Sequence, residues 1–424
     1  MVSQMFECRC ESSVVAGALL WLACAVSVQA GPLALDDALS LAELNSPLLA
    51  SANAATRSAN AGVDTAKAYP NPEVEFSRGR FNARFPRAGN PDTRTQVLGV
   101  AQPVEWPGVR SARREMAEAG LSASEAMRDQ MRLELRAKVK LAYFDVVRRE
   151  EERQLADQMR ALLELIRNRI KLKVEVGEAP RYELVKAEAE ALAADNAAKG
   201  AEMRVGQARS VLRSLLGFDA PQNFELTTPY PRPGELPEAD TLRREMLERH
   251  PQLRSVHADV KRAESRLALE RNLRLPQPTV RWTSLSDPEM HQWLVGVTLP
   301  LPLWNRRAGP VGEALAGTEQ SQADAERTRL ALLNELDLAL ARYRIASSQV
   351  HTFESGLLQQ AEMAMTTAEA AYRYGERNLL DYLDAQRMQR SVRLDFLSAR
   401  YEQLAAWVDI ERLRAFPDPQ EAQP

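Results

Sequence analysis

Proline is missing from two long stretches, between Pro107 and Pro180 and between Pro310 and Pro417. Proline breaks a helix by removing a donor and clashing with the preceding turn, so its absence permits helices of unusual length. At 1.5 Å per residue, ~65 residues make a rod of about 100 Å, longer than any compact domain uses. The apolar spacing predicts how such rods pack. Leu184, Ala187, Ala191, Ala194, Ala198, Ala201, Val205, Ala208, Leu212 and Leu215 alternate steps of three and four. Leu155, Met159, Leu162, Ile166 and Ile170 nearly do the same, as do Tyr343, Ala346, Val350, Phe353 and Leu357, and Leu394, Leu397, Tyr401, Leu404 and Val408. A 3.5-residue period held over several heptads predicts coiled-coil packing. The rods turn back at two matching places. In Val176-Gly177-Glu178-Ala179-Pro180, Gly suits the position past a helix end and Pro the first position of the next helix. In Tyr374-Gly375-Glu376-Arg377-Asn378, Asn378 is the expected N-cap, with Asp381 at the capping-box position.

The two halves repeat each other. NSPL at Asn45–Leu48, YPNPEVEF at Tyr69–Phe76 and VLGVAQPVEW at Val97–Trp106 have counterparts in RHPQ at Arg249–Gln252, PQPTVRW at Pro276–Trp282 and LVGVTLPLPLW at Leu294–Trp304. The period is about 200 residues, far above the 20–50 of solenoids. The expected organisation is a signal peptide over 1–30 and a first repeat over 31–236. That repeat holds a strand pair at about 72–106 and a long helix hairpin at about 109–217. A second repeat over 237–416 holds a strand pair at about 278–304 and a hairpin at about 306–416, before a tail over 417–424.

The strands precede each long helix. Trp293, Val295, Val297, Leu299 and Leu301 alternate with Leu294, Gly296, Thr298 and Pro300, giving one greasy face and one mostly small or polar face. Val280 and Trp282 alternate with Thr279, Arg281 and Thr283; Val74 and Phe76 alternate with Glu73, Glu75 and Ser77; Leu98 and Val100 mark the partner strand. Strands of about ten residues match a membrane-spanning β-strand. Trp106 and Trp304 close equivalent strands, where the aromatic girdles of outer-membrane barrels lie; the alternative is a pair of core tryptophans under a soluble sheet.

Composition narrows the classes. With 27% charged residues and a net charge of −3, nothing indicates a nucleic-acid partner. Val14 to Val28 reads as the apolar core of a secretory signal with a cleavage site at Val28-Gln29-Ala30; an N-terminal membrane anchor is the other reading. Cys8, Cys10 and Cys24 all lie in this segment, so a chain cleaved after Ala30 has no disulfide and no thiolate site. Trp21-Leu22-Ala23-Cys24 weakly matches a lipidation box at Cys24. No later run reaches the length of a membrane-spanning helix, so a membrane crossing must use strands. Unpaired backbone groups in hydrocarbon cost several kcal/mol each, so those strands must close into a barrel. Four strands per chain cannot close, eight give an interior filled by side chains, and twelve leave a lumen. The expected fold is therefore mainly α with a small β part and internally duplicated. Long antiparallel α-helical hairpins form an α-barrel, and four transmembrane strands per chain form a twelve-strand barrel in a homotrimer.

This repeated strand–helix unit resembles the TolC-type outer-membrane efflux factors. The resemblance is carried by Ser46-Pro47 with Asn71-Pro72-Glu73, VAQPVEWPGVR at Val100–Arg110, VTLPLPLWNR at Val297–Arg306 and YGERNLLDYLDAQ at Tyr374–Gln386. Gln102–Glu105 and Leu299–Trp304 look most like the heavy-metal (cobalt–zinc–cadmium) branch. The resemblance implies a trimer in outer-membrane lipid that reaches into the periplasm and works with a periplasmic adaptor (membrane fusion) protein and an inner-membrane RND-type pump. Heavy-metal cations are then the cargo, with type I protein secretion or drug efflux as alternatives. It also implies a constricted periplasmic tip at the two turns. Glu178, Glu183, Glu376 and Asp381 become candidates for an acidic ring, and Arg181 and Arg377 for adaptor contact or inter-chain pairs, around Gly177 and Gly375. The plainer reading is that these are solvated caps, since carboxylates at helix starts are favoured by the dipole.

No catalytic constellation is present: no Gly-rich phosphate loop and no G-x-S-x-G. His250, His257, His291 and His351 are scattered, and Met363 and Met365 do not share a helix face, so no resident metal or cofactor is expected. A non-enzyme is expected. A periplasmic coiled-coil adaptor or scaffold remains a reading of another class; it explains the heptads but not the paired greasy strand faces.

Overall fold

A computed structural model of the chain describes residues 31–80, 94–217, 220–221, 224–231, 234, 236–287 and 290–415. The predicted signal segment with its cysteines, the middle of the loop after Arg80, Pro288-Glu289 and the tail 417–424 lie outside the described residues. The elements in order are β1 (Gly31–Leu33), α1 (Leu35–Asn45), α2 (Pro47–Lys67), β2 (Glu73–Arg80), β3 (Arg94–Pro103), α3 (Pro107–Glu175), α4 (Arg181–Leu216), β4 (Phe224–Leu226), α5 (Ala239–Arg249), α6 (Pro251–Asn272), β5 (Thr279–Ser286), β6 (His291–Thr298), α7 (Ala308–Thr352), a π turn (Phe353–Leu357), α8 (Leu358–Arg373) and α9 (Leu379–Arg414).

The motifs NSPL and RHPQ do the same local work. Each ends one helix and starts the next with a cap followed by proline at the first position. Ser46 Oγ accepts from the Leu49 N–H, and His250 Nδ1 accepts from the Gln252 N–H at 3.3 Å. The helix read ahead of each strand pair is therefore two helices.

α3 is one unbroken helix of 69 residues, about 100 Å long. The α4 seam lies as its spacing predicts: Ala187, Ala191, Ala194, Ala198, Ala201, Val205, Ala208 and Leu212 are all buried. On α3 the buried position is Leu163 rather than Leu162, because a straight helix of 3.6 residues per turn drifts against a strict 3.5 repeat. The second half differs more. Its long helix is interrupted at Phe353–Leu357, where Gly356 leaves helical φ/ψ. A π turn adds a residue to one turn and rotates the following face, and glycine resists helix least where the ladder is broken. The seam expected through Phe353 and Leu357 therefore stops at Val350, and Leu357 is exposed.

Neighbour relations define one helical layer. Near the sheet, α2 packs on α3, α3 on α6 and α6 on α7. Toward the turns, α4 packs on α3, α3 on α9, and α9 on α7 and α8. One flank of the layer is thus α2 then α4, and the other is α7 then α8. Three apolar clusters hold it: a waist joining α1, β1 and β4 to the middle of α3 around Tyr143 and Phe144, a second waist cluster around Leu242, Met246, Leu336 and Ile410, and a cluster near the turns around Ile166, Ile170, Leu379 and Tyr382. Tyr143 pins the first: its hydroxyl donates to the Leu33 carbonyl at 2.9 Å and accepts from the Thr228 N–H at 3.0 Å.

β1 and β4 form a small parallel pair. The other four strands form one antiparallel sheet in the order β2-β3-β5-β6, so the two halves meet at β3–β5. β2, β5 and β6 have eight residues and β3 ten. Leu299–Trp304 is not strand, because Pro300 and Pro302 lack the N–H that a ladder needs.

Candidate membrane sheet and helical turns

Cross-strand register assigns every sheet residue to a face. One face carries the rows Gln102–Val280–Val297, Val74–Val100–Trp282–Val295 and Phe76–Leu98–Ser284–Trp293. The other carries Pro103–Thr279–Thr298, Glu73–Ala101–Arg281–Gly296, Glu75–Gly99–Thr283–Leu294 and Ser77–Val97–Leu285–Gln292. The first is an apolar band with polar residues at its margins. The second is mixed, with Arg281 reaching Glu75 at 3.8 Å across the small Gly99. On the apolar face Val74 is 69%, Phe76 67% and Trp293 72% exposed. Among the described residues the band stays exposed, and the outer edges of β2 and β6 are unpaired within the described sheet. An exposed greasy sheet with open edges is an aggregation hazard in water and needs another environment.

The junction between sheet and helices explains the VAQPVEWPGVR motif. Gln102 Nε2 donates to the carbonyls of Pro70 and Pro103, both at 2.9 Å. Glu105 and Arg113 form a bidentate pair at 2.8 and 2.6 Å, and Arg113 Nε also caps α2 at the Ala66 carbonyl. Arg110 stacks over Tyr69 at 3.8 Å and donates to the Lys67 carbonyl. Trp106 precedes Pro107 at the α3 start, its indole N–H bonded to the Pro276 carbonyl. Trp304 is 93% exposed, so the two tryptophans are not in equivalent surroundings.

The turns are two copies of one motif. Gly177 has φ 80° and Gly375 φ 79°, where a side chain would be strained. Glu178 N–H donates to Lys173 O at 2.8 Å and Gly177 N–H to Val174 O at 3.1 Å; Glu376 N–H donates to Ala371 O at 2.9 Å and Gly375 N–H to Tyr372 O at 3.2 Å. These are paired Schellman bonds. Pro180 sits at the N-cap of α4 rather than at its first helical position. Asn378 Oδ1 accepts from the Asp381 N–H at 2.9 Å, and the Asp381 carboxylate pairs with Arg377 at 3.5 Å. Glu178, Arg181, Glu376 and Arg377 are exposed, and Glu183 and Asp381 half-buried. The sequence reading missed what holds the turns together. Tyr372 and Tyr382 stack in parallel at 5.7 Å, with the Lys173 ammonium over Tyr372 and an Arg387–Glu190 ion pair joining α9 to α4. Burial pushes the Tyr372 hydroxyl above its usual pKa, and Glu183 adds to the shift. The symmetric placement of Tyr372 and Tyr382 about the turn was the available signal.

The histidines stay apart: His257, His291 and His351 lie on α6, β6 and α7, and His250 is buried at the α6 start. Among the described residues no three His, Cys, Asp or Glu side chains converge as metal ligands, and no helix is long and apolar enough to cross a membrane.

The sequence profile described as "Outer membrane efflux protein" matches residues 38–218 and 242–414. The chain belongs to that family. It is similar to the cobalt-zinc-cadmium resistance protein CzcC of Cupriavidus metallidurans, at 27% identity over 91% of this chain and 90% of that protein. It is also similar to the pyoverdine export outer membrane protein OpmQ of Pseudomonas putida, at 25% identity over 83% and 79% of the two chains. Its fold matches a crystal structure of CusC, a study of folding and transmembrane channel formation, with a TM-score of 0.79 at 17% identity over 90% and 91% of the chains. As an outer membrane efflux protein the chain is an efflux component of the outer membrane, and members of its family are channel components rather than enzymes.

Proposed function

We propose that three copies join edge to edge, closing the sheet into a twelve-strand barrel and the helical layer into a tube. The assembly is the outer-membrane conduit of a tripartite efflux system, fed by a periplasmic adaptor and an inner-membrane RND-type pump. Each chain contributes two tandem repeats, 31–236 and 237–416. One observation carries this reading: the sheet is open along β2 and β6, and the helical layer has its flanks at α2–α4 and α7–α8. Closure therefore satisfies strand edges and helix flanks together. The flanks also suit each other. Val185, Leu192 and Met203 on α4 and Leu338, Ile345, Leu357 and Met363 on the opposite flank are exposed apolar residues. Counted from the turn glycines, Met203 and Ile345 stand at similar heights. The helical layer near the sheet holds a groove of about 920 Å³ lined by Gly62, Gly120 and Gly317 with Asp259, Arg262 and Asp324, a wet wall suited to a lumen. The likeness to CzcC over nine-tenths of both chains favours heavy-metal cations as cargo.

Residues 31–424 contain no cysteine, so engineered thiols report cleanly. A chain with Met203→Cys and Ile345→Cys is expected to give covalent trimers on oxidation in outer-membrane vesicles. Persistence of monomers alone rejects edge-to-edge closure.

The turns form the periplasmic end of the conduit in this reading. Glu178, Glu183, Glu376 and Asp381 supply a carboxylate ring that selects for cations, and Arg181 and Arg377 meet the adaptor or a neighbouring copy. Asp381→Asn with Glu183→Gln is expected to raise single-channel conductance in planar bilayers and weaken cation preference. Unchanged conductance and selectivity would place the constriction elsewhere.

A further inference from the structure

The two strand hairpins are copies in ladder as well as in sequence. Val74 pairs with Val100 in the first, and Val280 with Val297 in the second. These pairs hold matching places in Pro70-Asn71-Pro72-Glu73-Val74 and Pro276-Gln277-Pro278-Thr279-Val280, and in Gly99-Val100 and Gly296-Val297. The seam between β3 and β5 therefore shows how the end of one hairpin meets the start of the next. Beyond β3 the chain keeps running along the connector that leads into β5. The Val104 N–H donates to the Pro278 carbonyl at 2.8 Å, the Trp106 N–H to Gln277 Oε1 at 3.2 Å and the Trp106 indole N–H to the Pro276 carbonyl at 2.9 Å. The counterpart segment beyond β6 is bare among the described residues: Leu301 is 64%, Leu303 62% and Trp304 93% exposed. The connector that answers to residues 276–278 is 70–72, which leads into β2. β2 lies at the opposite edge of the sheet from β6, three strand spacings or about 14 Å away, so the segment cannot seat there within its own chain.

Local geometry fits the segment for the same kind of seat on a neighbouring copy. Trp304 stands one residue farther past Gly296 than Trp106 does past Gly99. The Leu303 N–H donates to the Leu301 carbonyl at 2.9 Å, a three-residue turn that takes up the extra residue. An indole joins a large apolar surface to a single donor, so its natural seat is an apolar surface with an acceptor at the edge. The Pro70 carbonyl accepts from Gln102 Nε2 at 2.9 Å and has a second lone pair to offer. We propose that residues 301–304 of one copy seat on residues 69–72 of the next, with the Leu301 N–H on the Pro72 carbonyl and the Trp304 indole N–H on the Pro70 carbonyl. The two tryptophans then stand in equivalent surroundings, which a single chain denies them. This seat rests on the edge-to-edge closure proposed above and adds a lock where sheet and helices join. A lipid headgroup would also take a tryptophan, but the β3–β5 seam displays the seat built from the chain's own residues.

The test uses the full chain in outer-membrane vesicles. Leu303→Cys with Asn71→Cys is expected to give covalent trimers on oxidation. A disulfide needs Cα atoms within about 7 Å, so the two edges of one sheet cannot supply it. Trp304→Ala in that chain is expected to slow the cross-linking about fivefold, the scale of one net hydrogen bond; an unchanged rate overturns the indole contact. The Met203→Cys and Ile345→Cys chain separates the two levels. Covalent trimers from that chain with none from the Leu303→Cys and Asn71→Cys chain overturn the seat alone, whereas none from either overturns the closure beneath it. If the double variant fails to assemble, Leu303→Cys carrying a benzophenone maleimide serves. Its adduct is expected in or beside residues 69–72 of a second copy. Adducts elsewhere on the chain overturn the proposal, and so do adducts on lipid alone, which would make the segment a membrane anchor.

Discussion

A Val295→Arg chain will be missing from the outer membrane as a heat-modifiable trimer, whereas a Leu294→Arg chain will assemble. The two positions are adjacent, both apolar and both exposed, at 62% and 54%. Hydropathy alone treats them alike. The ladder does not: Val295 is level with Trp282, Val100 and Val74 in the middle row of the apolar band, and Leu294 faces the other way, level with Thr283, Gly99 and Glu75. An arginine on the lipid face near the bilayer midplane costs about 2–4 kcal/mol, and three symmetric copies bring that to about 6–12 kcal/mol per trimer. An arginine on the opposite face stands on the mixed side of the sheet, which in the proposed barrel faces the water of the lumen. The check is trimer yield in membrane fractions, compared before and after heating on a gel. Equal yields for the two variants would show that the sheet does not divide lipid from water.

Acidification from about pH 6.5 to pH 4 will lower the stability of the helical waist, and His250→Gln will remove much of that slope. His250 is fully buried at the α6 start, and burial holds its pKa down at about 4, with Arg412 adding to the depression and Glu335 and Glu134 opposing it. These charges lie on three helices: Arg412 on α9, Glu335 on α7 and Glu134 on α3. The sign follows from proton counts. Above the unfolded value of about 6.5 both states hold a neutral ring, and no stability is lost. Between about 6.5 and 4 the unfolded chain binds a proton that the folded chain refuses, so stability falls as pH falls. Below about 4 the loss levels off near 3 kcal/mol per chain. Protonation also removes the Nδ1 lone pair that caps the Gln252 N–H, while Nε2 has no partner to receive its proton. Thermal unfolding of the unaltered chain and of His250→Gln across this pH range is the measurement; parallel curves would assign the acid sensitivity to other groups.

The parts of this fold that were legible in the sequence are those fixed within one or two helical turns. The α4 seam from Ala187 to Leu212 could be read position by position, because a heptad is local bookkeeping of three- and four-residue steps. Gly177, Gly375 and Asn378 were equally legible, since a helix end must find φ above zero or a side-chain cap nearby. The interruption at Gly356 was not. A lone glycine in a helical run is usually tolerated, and only the packing of Phe353 on Phe396 at 5.8 Å shows which way the turn was resolved. The strand from Trp293 was read too far, through Leu301, because alternation continues past Thr298 while the prolines remove the donors that would extend the ladder.

By itself, the sequence determined the unbroken α3 and α4, the α4 seam from Ala187 to Leu212, the two turns and the parity of each strand, all set by neighbours a few residues apart, whereas the second-half seams expected through Leu357 and from Leu394 run onto exposed positions. Tertiary structure decided the rest. That β3 pairs with β5, that Arg80 stands opposite Arg94, and that Tyr372 stacks on Tyr382 depend on register between segments brought together from different parts of the chain. Such register is chosen by the sum of packing and hydrogen bonding over the whole layer, and no local pattern of residues encodes that sum.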